Sequence, residues 1–344
     1  MCCGSPHLHK ALDLSHSHGH HAQALDLSHS HGHHVQALDL SHSHGHRVQA
    51  LDLSHNHIEE VPEAIRTLRE LRVLNLARNW LNGSTLGRLS GLTQLQTLDI
   101  SYVFSMNVFP VELCSLTDLT QLGLKCTYVH SFPEEVSRLS SLHSLDISFN
   151  SQLEHHEVSK ILRPMQKLKA LSLCHLDLQM FPEVLWTLTQ LTLLELSRNR
   201  IRNISPDISL LTNLEALNLQ GTFSCRHGTS LEALAPSLYC LTKLRILNLG
   251  CNFAGKMPAG ISQLSRLQTL SLCMNGLLRL PPGIERLQML SKLDIRQNQL
   301  RLPPAALFEL KSLRRLAIHG NQLRPAALEQ LEKHLVLQHC KIIQ

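Results

Sequence analysis

Histidines are the most conspicuous chemical groups of this chain, 24 of its 344 residues. His16, His18 and His20 stand at alternate positions, and so do His29, His31 and His33, and His42, His44 and His46. In an extended chain such a triplet projects from one face. Neutral imidazole is a ligand for Zn²⁺, Ni²⁺ and Cu²⁺, and Asp13, Asp26 and Asp39 add nearby oxygen donors. The tract therefore takes up these metals adventitiously, with no dedicated cofactor expected. A metal-binding or metal-sensing protein is the alternative reading of the whole chain. Unperturbed imidazole also changes charge near about pH 6.5, so a pH-responsive tract is a third possibility.

Other groups with chemical potential lead nowhere. Gly250-Cys-Asn-Phe-Ala-Gly255-Lys256 begins like a phosphate loop, but Met257 stands where a Mg²⁺-binding hydroxyl is needed. Cys340 is fifth from the end, one place too early for a prenylation box, while Cys2-Cys3 is chemically able to carry a palmitoyl group. Asn82-Gly-Ser and Asn203-Ile-Ser are sequons that matter only in a secreted chain. Glu154, His155, His156 and Glu157 are adjacent and diverge in direction, which predicts a solvated loop rather than a metal site. No nucleophile–base pair or closed ligand set is found, so an enzyme is not expected.

The formal charge of +5 comes without a Lys/Arg run, which argues against a nucleic-acid partner. No run of about 18 apolar residues exists to span a bilayer, and the first residues lack the apolar stretch of a secretory leader. The ten cysteines are mostly single. These features predict a reducing compartment, the cytoplasm first, with the nucleus or a lipid-held membrane association as alternatives.

What must position any functional group is a repeat. Leu-x-x-Leu-x-Leu, or its Val variant, begins at Val48, Leu71, Leu95, Leu119, Leu142, Leu168, Leu191, Leu214, Leu244, Leu267, Leu290 and Leu313. The steps between them are 23, 24, 24, 23, 26, 23, 23, 30, 23, 23 and 23 residues. Leu-x-Leu has period 2, so both leucines point to one side of a short strand. Three residues after the second leucine comes Asn56, Asn79, Asn150, Asn199, Asn252, Asn275, Asn298 or Asn321, with Thr127 and Thr222 at two more such places. A short polar side chain there can satisfy main-chain groups where the strand bends. Val103 and Leu176 break this ladder, so coils three and six are expected to bend differently. Pro62, Pro133, Pro182, Pro258 and Pro281 stop the strand and start a return, a short helix or 3₁₀ turn such as 133–139. Each unit is too small to fold alone and buries its leucines against its neighbours.

From Val48 to Asn321 the chain resembles the intracellular 23-residue leucine-rich-repeat proteins, of the Ras-suppressor, scribble-like and plant Ras-group kinds. The resemblance rests on the Leu-x-x-Leu-x-Leu-x-x-Asn-x-Leu steps and on Leu-Pro-x-x-Ile, clearest in 267–287. It implies a right-handed horseshoe that binds protein partners, often in small-GTPase or phosphatase signalling.

The fold class expected is thus an α/β repeat: a leucine-rich-repeat solenoid with a concave parallel β-sheet and short helical or 3₁₀ returns. Residues 48–324 form the array and 325–344 cap it, with Leu328, Leu331 and Leu335 on one helix face. Residues 1–47 hold three 13-residue copies of Ala-Leu-Asp-Leu-Ser-His-Ser-His-Gly-His, too short for one coil each. Either they are disordered, or Leu-Asp-Leu pairs onto the first strand in a 26-residue step that leaves Leu25-Asp-Leu27 on the return. The function expected is a non-catalytic scaffold holding a partner on the inner face. There the residue between the strand leucines points inward, as do Asp52, Asn75, Asp99, Asp146, Glu195, Asn218, Asn248 and Asp294. Arg296 and Arg315 follow late in the array, so the face should run from acidic to basic. The 26-residue and 30-residue units carry extra loop residues at 152–157 and 223–230.

Overall fold

A computed structural model of the chain describes residues 23–26, 48–104, 106–222, 236–252, 257, 259–302, 304–337 and 339–343. Fourteen strands form one sheet in chain order. They are β1 (Gln23–Asp26), β2 (Val48–Asp52), β3 (Val73–Asn75), β4 (Thr97–Asp99), β5 (Gln121–Gly123), β6 (Ser144–Asp146) and β7 (Ala170–Ser172). Then follow β8 (Leu193–Glu195), β9 (Ala216–Asn218), β10 (Ile246–Asn248), β11 (Thr269–Ser271), β12 (Lys292–Asp294), β13 (Arg315–Ala317) and β14 (Lys341–Ile343). Each strand runs parallel to the next with like positions paired, as in Leu51↔Leu74 and Leu74↔Leu98. All twelve repeats seen in the sequence supply a strand, β2 to β13, and their paired leucines are buried in one continuous core.

The strand ends at a tight corner. In all twelve coils the residue before the ladder position is left-handed, from His55 at φ 57° to Gly320 at φ 71°. Most of these are bulky residues, for which that conformation is uncommon. A hydrogen bond fixes it: the corner N–H donates to the next coil, as from Arg78 to the Ser101 carbonyl at 2.9 Å and from Phe149 to that of Cys174 at 2.8 Å. The ladder amides then act as the spacing predicts. Asn199 Nδ2 donates to the Leu173 and Leu196 carbonyls at 2.8 Å each, while its Oδ1 accepts from the Leu176 and Leu178 N–H groups. Asn79, Asn150, Asn252, Asn275, Asn298 and Asn321 likewise bond the carbonyl of their own coil or the preceding one. The expected bend at the two defects is not found at the corner. Tyr102 and His175, which precede Val103 and Leu176, are left-handed like the rest; beyond the corner Asp177 of coil six is left-handed as well, but so is Tyr128 of coil four, where Thr127 holds the ladder position. The next-coil hydrogen bond sets the corner, and the amide only satisfies it.

The returns are 3₁₀ turns, several opened by proline. Pro62, Pro133 and Pro182 precede turns at Glu63–Thr67, Glu134–Arg138 and Glu183–Thr187, and Pro110 opens Val111–Ser115. Coils five and eleven are exceptions. Instead of a solvated loop, the 26-residue unit of coil five forms α1 (His155–Leu162), which buries Val158, Ile161 and Leu162, and the return of coil eleven is the short α2 (Ala306–Glu309). Glu157 faces inward and accepts the Phe132 N–H of the preceding coil at 2.8 Å. Adjacent residues diverge on a helix too, and that divergence sends Glu157 into the structure.

At the C-terminal end α3 (Pro325–Leu337) covers the last core layer with Leu331 and Leu335 fully buried. Beyond it β14 adds a strand to β13 that the sequence reading lacked. At the other end β1 pairs with β2, setting Leu25 beside Leu51 and Asp26 beside Asp52. The step is 26 residues, but Leu25 lies on the sheet and not on the return, the reverse of the expectation. His16, His18, His20, His29, His31, His33, His42, His44 and His46 lie outside the described residues, as does the 223–230 insertion.

Candidate functional site

Alternation along each strand presents residues to the inner face in three rows. The first row includes Thr97, Gln121, Ser144, Leu193 and Ala216; the middle row includes Asn75, Asp99, Gly123, Asp146, Ser172, Glu195, Asn218 and Asn248; the third includes Ser101, Lys125, Ser148, Cys174, Ser197 and Gln220. Together they line a groove of about 480 Å³ that runs from coil one to coil ten. Six of the ten proposed binding residues meet there: Asn75, Asp99, Asp146, Glu195, Asn218 and Asn248. Asp52 sits on β2 beyond one end. Asp294, Arg296 and Arg315 belong to the coils beyond the other end, and Arg296 is not a free cation, since it clasps Asp294 through Nε and Nη2 at 2.8 and 2.6 Å.

Most middle-row side chains have a structural task. Asp52, Asp99, Asp146 and Asp294 each accept the main-chain N–H two residues on, at 2.8 to 3.1 Å. Asn75, Asn218 and Asn248 do the same. This Asx bond occupies a donor left over as the strand gives way to the corner. The Leu-Asp-Leu and Leu-Asn-Leu spellings are therefore explained by the coil itself, before any partner is considered.

Glu195 stands apart. It is one carbon longer, and its Oε2 is buried with no hydrogen-bond partner. Burial, with the nearby Asp146 charge, pushes its carboxyl up to about 7, against a hydrogen bond from Asn218 and the charge of Lys125. Burial also pushes the Asp146 carboxyl up, opposed by hydrogen bonds from Ser148 and by Lys125. The two acids flank Ser172 across β6, β7 and β8. Beneath them Ser148 and Ser172 share a hydroxyl hydrogen bond of 2.7 Å, and the Ser197 hydroxyl donates to Cys174 at 3.2 Å. Gly123 opens the floor beside Asp99. A Cβ there would lie 2.5 Å from Asp99 Oδ1 and 2.9 Å from its Cγ, so a side chain would close the gap.

One edge of the groove is aromatic, because corner positions repeat at the strand spacing of about 4.8 Å. Phe149 and His175 occupy successive corners and stack with ring centroids 4.9 Å apart. Tyr102 carries the Arg78 guanidinium at 4.4 Å, and the Lys125 ammonium lies 5.8 Å from Tyr102 and 5.1 Å from Phe149. Outside them Trp80, Phe104 and Tyr128 are 61%, 54% and 49% exposed. Phe104 meets Tyr102 and Tyr128 at 6.5 and 5.9 Å. Sequence reasoning missed this rim, although its signal was there: in coils two to four an aromatic residue directly follows the ladder position.

Among the described residues no group of three or more histidine, cysteine or acidic side chains converges as a metal site, and no helix is long and apolar enough to cross a membrane. Burial pushes the Cys114 thiol up to about 11 and raises Cys174. Cys251 and Cys273 are neighbours that share one titration, which holds the Cys251 thiol below and the Cys273 thiol above the usual range.

Residues 46–102 and 265–323 match the model of the leucine rich repeat. Receptor like protein 23 of Arabidopsis thaliana is 28% identical over 193 residues, 56% of this chain and 19% of that protein, so the chain spans about a fifth of this curated relative's length. The likeness supports the repeat, not the particular 23-residue group that the spacing resembles. Among solved structures, a leucine-rich-repeat protein of Leptospira interrogans is 26% identical, covers 98% of both chains and has a TM-score of 0.53. An internalin of Listeria monocytogenes, at 19% identity, shares the fold with a TM-score of 0.65 over 86% of this chain and 80% of its own. Twelve in-register coils, a parallel inner sheet, mostly 3₁₀ returns and two repeat matches give this chain the fold of a leucine-rich-repeat solenoid.

Proposed function

We propose that the chain is a non-catalytic scaffold or adaptor that holds a protein partner on its inner sheet. Leucine-rich-repeat proteins typically act as protein-interaction modules. The observation that carries the reading is the groove itself: about 480 Å³ along the open sheet surface, spanning many coils, with an aromatic edge. A rigid sheet with aromatic anchors beside it binds with little loss of conformational entropy. A small GTPase or phosphatase complex is the partner class that the family resemblance implies, and the mostly single cysteines favour the cytoplasm as the compartment.

The test is affinity capture with the full chain against a variant carrying Gln121→Arg, Ser144→Arg and Leu193→Arg. These first-row side chains line the groove but take no part in the Asx bonds. The variant should keep its melting temperature and lose the partners captured by the parent. Retention of every partner by the folded variant would move binding off the inner face.

A further inference from the structure

We propose that Cys251, Cys273 and Met274 form a site for a soft monovalent metal ion of the Cu(I) type, on the corner edge of coils nine and ten. Cys251 is the corner residue of coil nine and Met274 that of coil ten, and both are left-handed. Successive corners stack at the strand spacing, which brings Cys251 Sγ to 3.7 Å from Met274 Sδ. Cys273 directly precedes Met274 and reaches the same place from the third row. Its carbonyl accepts the Cys251 N–H at 2.8 Å, so the two cysteines face each other across adjacent coils. Gly250 makes room for the second thiol: a Cβ there would lie 2.6 Å from Cys273 Sγ. The regular coil thus gathers three sulfurs with no insertion. In a trigonal site with metal–sulfur bonds of about 2.3 Å, the sulfurs stand about 4 Å apart. The Cys251–Met274 contact is already close to that separation.

The donor set selects the ion. Thiolate and thioether are soft ligands, which favour Cu(I) over Mg²⁺ or Ca²⁺. Zn²⁺ takes a closed tetrahedral set in a structural site. Among the described residues no histidine, further cysteine or carboxylate joins the two thiols in such a group. Asp294, whose charge reaches both thiols, is clasped by Arg296. Uptake of the ion releases both thiol protons and leaves two thiolates and one thioether around a single positive charge. The excess negative charge is offset by Arg198, which acts on Cys251, and by Arg296, on which Cys273 acts. Contact with Cys273 already holds the Cys251 thiol below its usual range, and the thiolate is the ligand form. Gln220 Nε2 donates to Cys251 Sγ at 3.5 Å and Ser271 Oγ to Cys273 Sγ at 3.6 Å, outer hydrogen bonds of the kind that orient metal ligands. The site is open to a metal donor, since Met274 is exposed and both cysteines are half-buried.

The test titrates the full chain with Cu(I), under anaerobic reducing conditions, against a colorimetric Cu(I) chelator. X-ray absorption then identifies the atoms around the bound ion. The parent is compared with the Cys251→Ser, Cys273→Ser double variant, with Met274→Leu, and with a chain whose nine alternately spaced tract histidines are asparagine. One equivalent with sulfur neighbours is expected in the parent and in the histidine variant. It should be missing from the double serine variant and about ten-fold weaker in Met274→Leu, with melting temperatures in chelator unchanged. Sulfur-bound copper retained by the folded double variant, or lost with the tract histidines, overturns the proposal. So does an ion with only nitrogen and oxygen neighbours, or no copper held against the chelator. Met274→Leu keeps both thiols and decides the matter even where the serine substitutions unfold the chain: unchanged affinity there overturns the three-sulfur site. None of these outcomes bears on the inner face as a partner site.

Discussion

Glu195 differs from its aspartate neighbours in the middle row by one methylene, and that methylene decides what the carboxylate can reach. Aspartate returns to the N–H two residues on; in Glu195 the carboxylate lies too far out and Oε2 ends buried and unpaired. This has a thermodynamic sign. A carboxyl whose folded pKa is raised to about 7, from an ordinary value of 4.5, binds more protons folded than unfolded. Stability therefore falls as pH rises from about 4.5 to about 7 and then levels off, the reverse of a salt-bridged carboxylate. Asp146 is shifted in the same direction and adds to the slope. Glu195→Gln should raise stability at pH 8 by on the order of 2 kcal/mol and flatten the decline between pH 5 and pH 7. Urea melts at pH 5, 6, 7 and 8 check this, and an unchanged slope would show that the carboxylate is solvated. None of it was legible from Leu-Glu-Leu. A strand residue pointing away from the core can face water, a partner or its own backbone, and only coordinates separate the three.

At the scale of elements, the regular coil was legible because its parts are local. Period-2 leucines, a proline before the return and an amide at the bend each act within one coil or between neighbours. The irregular unit was not. Its three residues beyond 23 have to be taken up without lengthening the return. An α-helix advances about 1.5 Å per residue where a 3₁₀ turn advances about 2.0 Å, so α1 packs more chain into nearly the same span. The closing strand escaped notice as well, since Lys341-Ile-Ile343 has no repeat to announce it. Its pairing with β13 and the burial of Leu331 make the C-terminal cap a coupled unit. Leu331→Asp puts an unpaired charge against the last core layer and should cost about 3 kcal/mol or more. Amides of the β13 coil should then exchange hydrogen well before those of the β6 coil. Uniform exchange across the array would mean that the cap is not independently released.

Across the whole molecule the histidine tract and the solenoid meet at β1. The metal reading of the tract is a chemical proposal on sequence spacing and is separable from the array. Calorimetry should detect Zn²⁺ binding at roughly micromolar strength in the parent. It should be lost when His16, His18, His20, His29, His31, His33, His42, His44 and His46 become asparagine, with the melting temperature in chelator unchanged. Equal heats from both chains would remove the tract as a metal ligand.

The 26-residue step from Leu25 to Leu51 spans two of the 13-residue units. Because the copies are near-identical in Ala-Leu-Asp-Leu, gain or loss of one copy upstream still leaves the same tetrapeptide 26 residues before Leu51, so long as two copies precede the fourth. A tandem DNA tract of this kind changes length by slippage, and here the protein's first strand is indifferent to the count. Alleles with more or fewer histidine units would differ in the length of their leader while presenting the same edge to β2.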